Sequence, residues 1–397
     1  MTTIHFIVNK TPAPPAPTVL SYDSGNSENF NNTDESFTET GDPGQGASAI
    51  TNGSLLVAWE EYCPSEFDYS NCKVNLKNID LVGSNNWATQ YPGLHYVNGA
   101  GSMSMAKLIN GNIALVYADQ RSGTVPVNGA VVSSSGSVIV SETAIDASRG
   151  FSNGTGCVAL NNGNFVAIWP SASAGATYLR VYGPTMSAVS GVITVDASNE
   201  ADGIRAAVLS NNNFVVIYKR GDGNRLCIYQ PDGTEDLNTT LEAGNTDAVL
   251  NSVVPTSDGG FVVSFGIKNG SFDNVIKLRK YSSTGVAGTT VTVSDPAAAD
   301  PGGGLPWNSW YATQAFLMDN GNIGLAGWSS GSKTLYCWAY DQDLTEVQSL
   351  TSLSTIAQTI DSYRQAYAAQ FGSGKYGFVM QRQGPSGTKV YLDVLTT

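Results

Sequence analysis

Charge is scarce in this sequence, and histidine scarcer still. Charged side chains make up 13% of the 397 residues, and the two histidines are His5 and His95. So few imidazoles exclude an HExxH motif and a His-rich metal cluster. A catalytic triad would have to use His95, and no GxSxG elbow marks a serine for it. The 20 Lys and Arg face 33 Asp and Glu, for a net charge of −13. Phosphate recognition needs concentrated positive charge, so neither a nucleic acid nor an anionic membrane surface is an expected partner. Five cysteines, at 63, 72, 157, 227 and 337, are too few and too scattered for a disulfide framework. Cys157, Cys227 and Cys337 fall in strand-like runs and are expected as buried thiols; Cys63 and Cys72 flank one loop and are expected as a reduced pair. No stretch approaches the roughly 18–20 apolar residues of a membrane span. The opening MTTIHFIVNKTPAPPAPTV lacks a basic leader followed by a long apolar run, so no Sec-type signal peptide is expected. The triplet at 302–304 is glycine without the strand or Lys context of a nucleotide site, and no cofactor is expected.

What the chain does have is repetition. ITNGSLLVAW from Ile50 returns as LINGNIALVY from Leu108, LNNGNFVAIW from Leu160 and LSNNNFVVIY from Leu209. It returns again as TSDGGFVVSF from Thr256, LMDNGNIGLAGW from Leu317 and, degraded, FGSGKYGFVM from Phe371. Asn-Gly, Asp-Gly and Asn-Asn place two residues that tolerate positive φ at the centre of a tight hairpin. The β-branched and aromatic run after each turn reads as a buried strand. A third strand ends at Tyr182, Tyr229, Tyr281 or Tyr340 and is followed by a polar turn. Short runs such as GVITVD and TTVTVSD supply a fourth. Four antiparallel strands in about 50 residues is the size of a propeller blade. Even the most helix-like piece, 355–371, ends where the first strand of the seventh unit belongs. The expected fold is all-β: a seven-bladed β-propeller of four-stranded antiparallel blades.

An unpaired sheet edge invites aggregation, so the ring should close. KVYLDVL, 389–395, ends the last unit with three strands, and SFTETG, 36–41, precedes the first hairpin. The sequence therefore predicts that residues near Phe37–Thr40 complete the seventh blade, making 36–397 one domain. Residues 1–35, with PAPPAP favouring an extended conformation, are expected as an N-terminal arm.

Loops joining second to third strands leave a blade on the same face as the crossovers, opposite the short NG turns. Three insertions on or near that face are rich in aromatics: 60–72 with Tyr62 and Tyr69, 85–99 with Trp87, and 295–311 with Trp307, Trp310 and Tyr311. These six residues are the candidate ligand platform; pinning of long loops onto the ring is the competing role. Trp59, Tyr117, Trp169, Tyr218 and Phe265 share one strand register and are assigned to blade packing instead. Glu60, Glu61, Glu66, Asp68, Asp119, Asp222 and Asp273 are read as surface acids, with calcium ligation or paired-carboxylate hydrolysis as alternatives. DASNEADG, 196–203, looks superficially like a calcium loop but lacks the EF-hand spacing.

The pattern L-x-[ND]-G-x-F-V-V-x-W, a strand ending near R-Y-x-x-x-G, and a short V-T-V, seen most fully at 256–295, resembles propeller-type repeats of bacterial surface proteins and bacteriophage virion proteins. The resemblance spans about residues 36–397 and identifies scaffold positions, with no shared catalytic set. It implies adhesion, display or assembly without turnover: a fibre, decoration or receptor-binding component located on a virion or extracellular surface. The arm would attach to other assembly proteins, and the aromatic loops would meet a host glycan or polysaccharide. A soluble carbohydrate-binding propeller and a polysaccharide-cleaving enzyme are the alternatives.

Overall fold

The computed structural model describes residues 21–22, 28–30, 48–50, 54–60, 73–80, 85–95, 103–118, 126–147, 154–171, 174–197, 202–220, 223–243, 249–269, 273–293, 313–329, 334–355, 359–360, 367–372, 374–384 and 387–396. All regular structure among them is β. Two short strands, β1 (Ser21–Tyr22) and β2 (Glu28–Phe30), come first. The first sheet holds β3 (Ser48–Ile50), β4 (Ser54–Glu60), β5 (Lys73–Asp80) and β6 (Asn85–His95). The second holds β7 (Met103–Lys107), β8 (Ile113–Ala118), β9 (Val127–Val132) and β10 (Val138–Asp146). The third holds β11 (Gly156–Ala159), β12 (Phe165–Ser171), β13 (Ala176–Tyr182) and β14 (Ile193–Asp196). The fourth holds β15 (Asp202–Val208), β16 (Phe214–Lys219), β17 (Gly223–Tyr229) and β18 (Glu235–Ala243). The fifth holds β19 (Val249–Pro255), β20 (Phe261–Asn269), β21 (Asp273–Tyr281) and β22 (Ala287–Thr292). The sixth holds β23 (Thr313–Leu317), β24 (Ile323–Ser329), β25 (Thr334–Tyr340) and β26 (Glu346–Thr355). The last sheet is six-stranded: β27 (Thr359–Ile360), β28 (Tyr367–Gly372), β29 (Lys375–Gly384) and β30 (Gly387–Thr396) join β1 and β2.

Each four-stranded sheet is antiparallel and ordered as the chain runs. Their first strands lie against one another in sequence, β3 on β7, β7 on β11, β11 on β15, β15 on β19, β19 on β23 and β23 on β28; β28 then returns to β3. This cyclic order is the architecture of a β-propeller.

One expectation falls outside the described residues, and another needs correction. Residues 36–41, expected to complete the last blade, lie outside the described residues. The outer edge of β30 is lined by β1 and β2, from within the segment expected to be an arm. Tyr22 and Phe30 give these strands β character, and the intervening DSGNS is composed of turn-formers. The correction concerns the NG turns: in the five that are described, only one residue of each pair has positive φ, namely Gly111 (+85°), Gly163 (+90°), Asn212 (+69°), Gly259 (+88°) and Gly321 (+83°). In the first of these, Gly111 N–H donates to the Leu108 carbonyl at 2.9 Å and Leu108 N–H to that of Asn112 at 2.8 Å. That is a three-residue loop, a type I turn with its left-handed residue third, not a two-residue turn. The preceding side chains (Asn110, Asn162, Asn211, Asp258 and Asn320) each accept the N–H two residues on, at 3.0–3.1 Å. This Asx bond favours the right-handed turn at the first position.

The third-to-fourth turns repeat the geometry, with Gly136, Gly233 and Gly285 left-handed, but Met186 (+63°) and Leu344 (+64°) in the same role. Size complementarity explains part of the difference. A Cβ at Gly233 would meet Ile193 Cδ1 at 2.2 Å, and one at Gly285 would meet Leu237 Cδ2 at 2.1 Å, so the preceding sheet fills the space. At Met186 the arrangement inverts: its Cε reaches 2.5 Å from where Gly129, on the preceding sheet, would carry a Cβ.

The core lies in the seams between sheets. Along β16, Phe214, Val216 and Tyr218 pack toward the third sheet, while Val215 and Ile217 pack toward the fifth. Burial on both faces is why the second strands read as unbroken apolar runs. Each such side chain contributes about 1.5–3 kcal/mol on burial. The phenylalanine that opens three of them stacks on the tyrosine that closes the third strand: Phe165 on Tyr182 at 5.6 Å, Phe214 on Tyr229 at 5.3 Å and Phe261 on Tyr281 at 5.2 Å. Buried hydroxyls tie sheets together. Thr155 donates to the Val116 carbonyl at 3.0 Å, and Ala315 N–H donates to Ser252 Oγ at 2.8 Å.

Candidate functional site

The two ends of the sheets differ. At the turn end, neighbouring loops are stitched by hydrogen bonds. Asn161 N–H donates to Asn212 Oδ1 at 2.6 Å, Ser257 N–H to Gln342 Oε1 at 2.9 Å, and Gln342 Nε2 to the Gly321 carbonyl at 2.7 Å. Asp319 N–H donates to the Tyr376 hydroxyl at 2.9 Å, and Gly374 N–H to the Asp319 carboxylate. Lys280 bridges Asp258 at 2.8 Å and Asp343 at 2.9 Å, joining the fifth and sixth sheets. That Lys280 bond, with the Thr256 hydroxyl, holds the Asp258 carboxyl down to about 2.

The opposite end carries the second-to-third connections and the crossovers, including 61–72 between β4 and β5 and 293–312 between β22 and β23. Tyr62, Tyr69, Trp307, Trp310 and Tyr311 lie in these connections, outside the described residues. Trp87 does not lie in a loop. It belongs to β6, opposite Asn78 on β5. The segment 85–95, expected as an insertion, is the fourth strand itself. Its Pro92 and Gly93 disguised it, and the structure accommodates them in an irregularity: Lys73 pairs with His95 and Asn75 with Gln90. An outermost strand tolerates proline because its missing N–H is not needed on the free side.

At this loop end the packing aromatics meet acids. Trp169 Nε1 donates to Asp146 Oδ2 at 2.9 Å and the Tyr218 hydroxyl to Asp196 Oδ2 at 3.2 Å. In both, an aspartate ending one sheet's fourth strand receives the aromatic that ends the next sheet's second. Tyr117 donates to Glu142 at 2.8 Å within its own sheet. Tyr117, Trp169, Tyr218 and Phe265 are fully or almost fully buried, as packing residues should be. These pairings were missed, although the matched AIDAS and TVDAS, 144–148 and 194–198, are visible in the sequence. Asp196 opens the DASNEADG segment and is already engaged by Tyr218 and by Arg220 at 3.5 Å. Burial first, then the neighbouring Cys227 and Asp196, pushes the Tyr218 hydroxyl up, so it stays a hydrogen-bond donor at neutral pH.

Beside this belt sits Asn224, on β17. It is 1% exposed, and neither polar atom of its amide has a hydrogen-bond partner among the described residues. Cys157, Cys227 and Cys337 are buried thiols that take part in no disulfide. Burial raises all three, Cys227 and Cys337 to about 12, so they remain protonated. Among the described residues no three His, Cys, Asp or Glu side chains converge to hold a metal ion, and no helix is long and apolar enough to cross a membrane. The described chemistry of this end is hydrogen bonding and aromatic packing.

No family model and no curated protein sequence matches the chain. Solved structures do. A protein of unknown function from Dyadobacter fermentans DSM 18053 is 12% identical with a TM-score of 0.50, covering 95% of this chain and 97% of its own. The polysaccharide lyase Uly1 is 11% identical with a TM-score of 0.52, over 96% and 99% of the two chains. A copper-bound fungal alcohol oxidase of the AA5 family is 14% identical with a TM-score of 0.54, over 90% and 75%. Likeness at this level shows the fold, which hosts unrelated activities.

Proposed function

We propose that the seven sheets are the blades of one closed ring, and that the ring is a non-enzymatic virion or surface-assembly component that contacts a host glycan or structural partner through its loop end. The observation that carries this reading is the division of labour between the two ends. One is a stitched rim of short turns, in which Asn, Ser and Asp side chains already bond to neighbouring turns. The other collects the long connections, with Tyr62, Tyr69, Trp307, Trp310 and Tyr311 among them. Aromatic faces edged by amides and hydroxyls suit the apolar faces and hydroxyls of sugar rings. With a net charge of −13, an uncharged polysaccharide is favoured over a polyanionic one. Residues ahead of β1, shorter than the arm read from the sequence, would attach the ring to its assembly.

Recurrence of the acid–aromatic pair between successive sheets favours a second reading, a soluble carbohydrate-binding propeller with equivalent sites between blades. Titration of labelled protein onto candidate host cells and isolated surface polysaccharides separates the two. Under the first reading, Trp307→Ala/Trp310→Ala abolishes saturable binding; under the second, binding persists with several equivalent sites. Shortening of the polysaccharide by the protein would overturn both in favour of an enzyme.

A further inference from the structure

Six sheets take their fourth strand from the segment that follows their third. The last sheet does not: β1 and β2, from the other end of the chain, line the outer edge of β30. Their hold is short. β1 contributes the pairs Ser21 with Thr396 and Tyr22 with Leu395; β2 contributes Glu28 with Leu392, Asn29 with Tyr391 and Phe30 with Val390. Residues 23–27 separate the two strands on one side, against Asp393 and Val394 on the other. By contrast, β18 pairs along β17 from Gly223 to Tyr229, that strand's whole length.

We propose that the outer edge of β30 is an acceptor for residues 21–30 of a second copy of this chain, so that the closing strand exchanges between copies. A strand edge recognises an extended segment mainly through backbone hydrogen bonds, so a donor in trans can make the same bonds as a donor in cis. The connection from β2 to β3, residues 31–47, reads NNTDESFTETGDPGQGA. It is polar and carries Gly and Pro. A segment of that length reaches at most roughly 55 Å when fully extended, enough to bridge two rings in contact. Since the pairs are identical in both arrangements, the balance is set by effective concentration, on the order of millimolar for the tethered strand. Exchange is therefore populated where chains are crowded, in an assembly or on folding at high concentration. Reciprocal exchange gives a closed dimer. One-way exchange, each copy donating to the next, gives a head-to-tail row of rings.

The register between Phe30 and Val390 supplies the test. In a Phe30→Cys/Val390→Cys variant of the full chain, oxidation links the strand to its acceptor. A non-reducing gel then reads whether the two belong to one chain. After unfolding and refolding near 1 μM (a thousandfold below the millimolar scale), the expected product is an internally linked monomer. As refolding concentration approaches millimolar, covalent dimers and longer species are expected beyond any that form in the Phe30→Cys or the Val390→Cys variant alone, which carry the same five native cysteines. A chain lacking residues 1–30 should also bind a synthetic peptide of residues 18–32 and melt higher in its presence. Monomer alone at every concentration, no cross-link at all, or no effect of the peptide would each overturn the proposal.

Discussion

The left-handed turn glycines allow backbone strain and steric fit to be separated by three substitutions. Gly111 has φ +85° and nothing within 4 Å of where its Cβ would stand. Gly111→Ala therefore tests the backbone alone. A left-handed L-residue is disfavoured by about 1–2 kcal/mol, partly offset by the lower entropy of the unfolded alanine chain, about 0.4–1 kcal/mol. The expected net loss is about 1 kcal/mol. Gly233 has φ +92°, and its Cβ would stand 2.2 Å from Ile193 Cδ1. Displacing that methyl adds an overpacking penalty of about 1–3 kcal/mol, so Gly233→Ala should lose about 2–4 kcal/mol. Ile193→Val deletes that methyl and little else. Combined with Gly233→Ala it should recover the steric part and leave the backbone part, giving a coupling of about 1–3 kcal/mol. Urea denaturation followed by tryptophan fluorescence resolves these differences better than heating. At about 2.1 cal/mol/K per residue, 1 kcal/mol moves the Tm of a chain this long by only about 1 °C. Equal losses for the two alanine variants, or no coupling with Ile193→Val, would refute this account of how turns and preceding strands fit.

Two further outcomes follow from single side chains. Asn224→Leu replaces two unpartnered buried polar atoms with a similar apolar shape, so stability should rise by about 1–3 kcal/mol; a lower urea midpoint would show that the amide is satisfied in solution. The Asp258 carboxyl, depressed from an ordinary 3.8 to about 2, stabilises the fold above 3.8, and its contribution is lost as pH falls from there through 2. Asp258→Asn should flatten the pH dependence of stability in that window, measured by urea midpoints; an unchanged pH profile would contradict the bridge from Lys280.

The scaffold was legible because the repeat encodes it in local chemistry. FVAIW and FVVIY are buried on two faces, so their period is continuous, and the phenylalanine and the later tyrosine fall opposite each other in register. The exact turn was harder to read. Asn-Gly is compatible with two-residue and three-residue loops, and the choice depends on an Asx bond that a sequence does not display. β1 and β2 escaped notice because they are too short to show periodicity, and β6 because Pro92 and Gly93 interrupt its pattern at a position only an outermost strand can tolerate. At the loop end the sequence identified the aromatics as packing residues but not their partners. Asp146 and Asp196 belong to the preceding repeats, so their pairing with Trp169 and Tyr218 depends on how blades sit side by side. Asn224 gave no signal at all, since an asparagine near a strand end is ordinarily a surface residue.

The central claim is that recognition belongs to the loop end. Its most direct test measures polysaccharide binding by two folded variants in parallel, Trp307→Ala/Trp310→Ala at the loop end and Asn110→Lys/Asn162→Lys on the turn rim. Loss of binding in the first with wild-type affinity in the second is the expected result. Loss in the rim variant alone would place recognition on the stitched end and contradict the account.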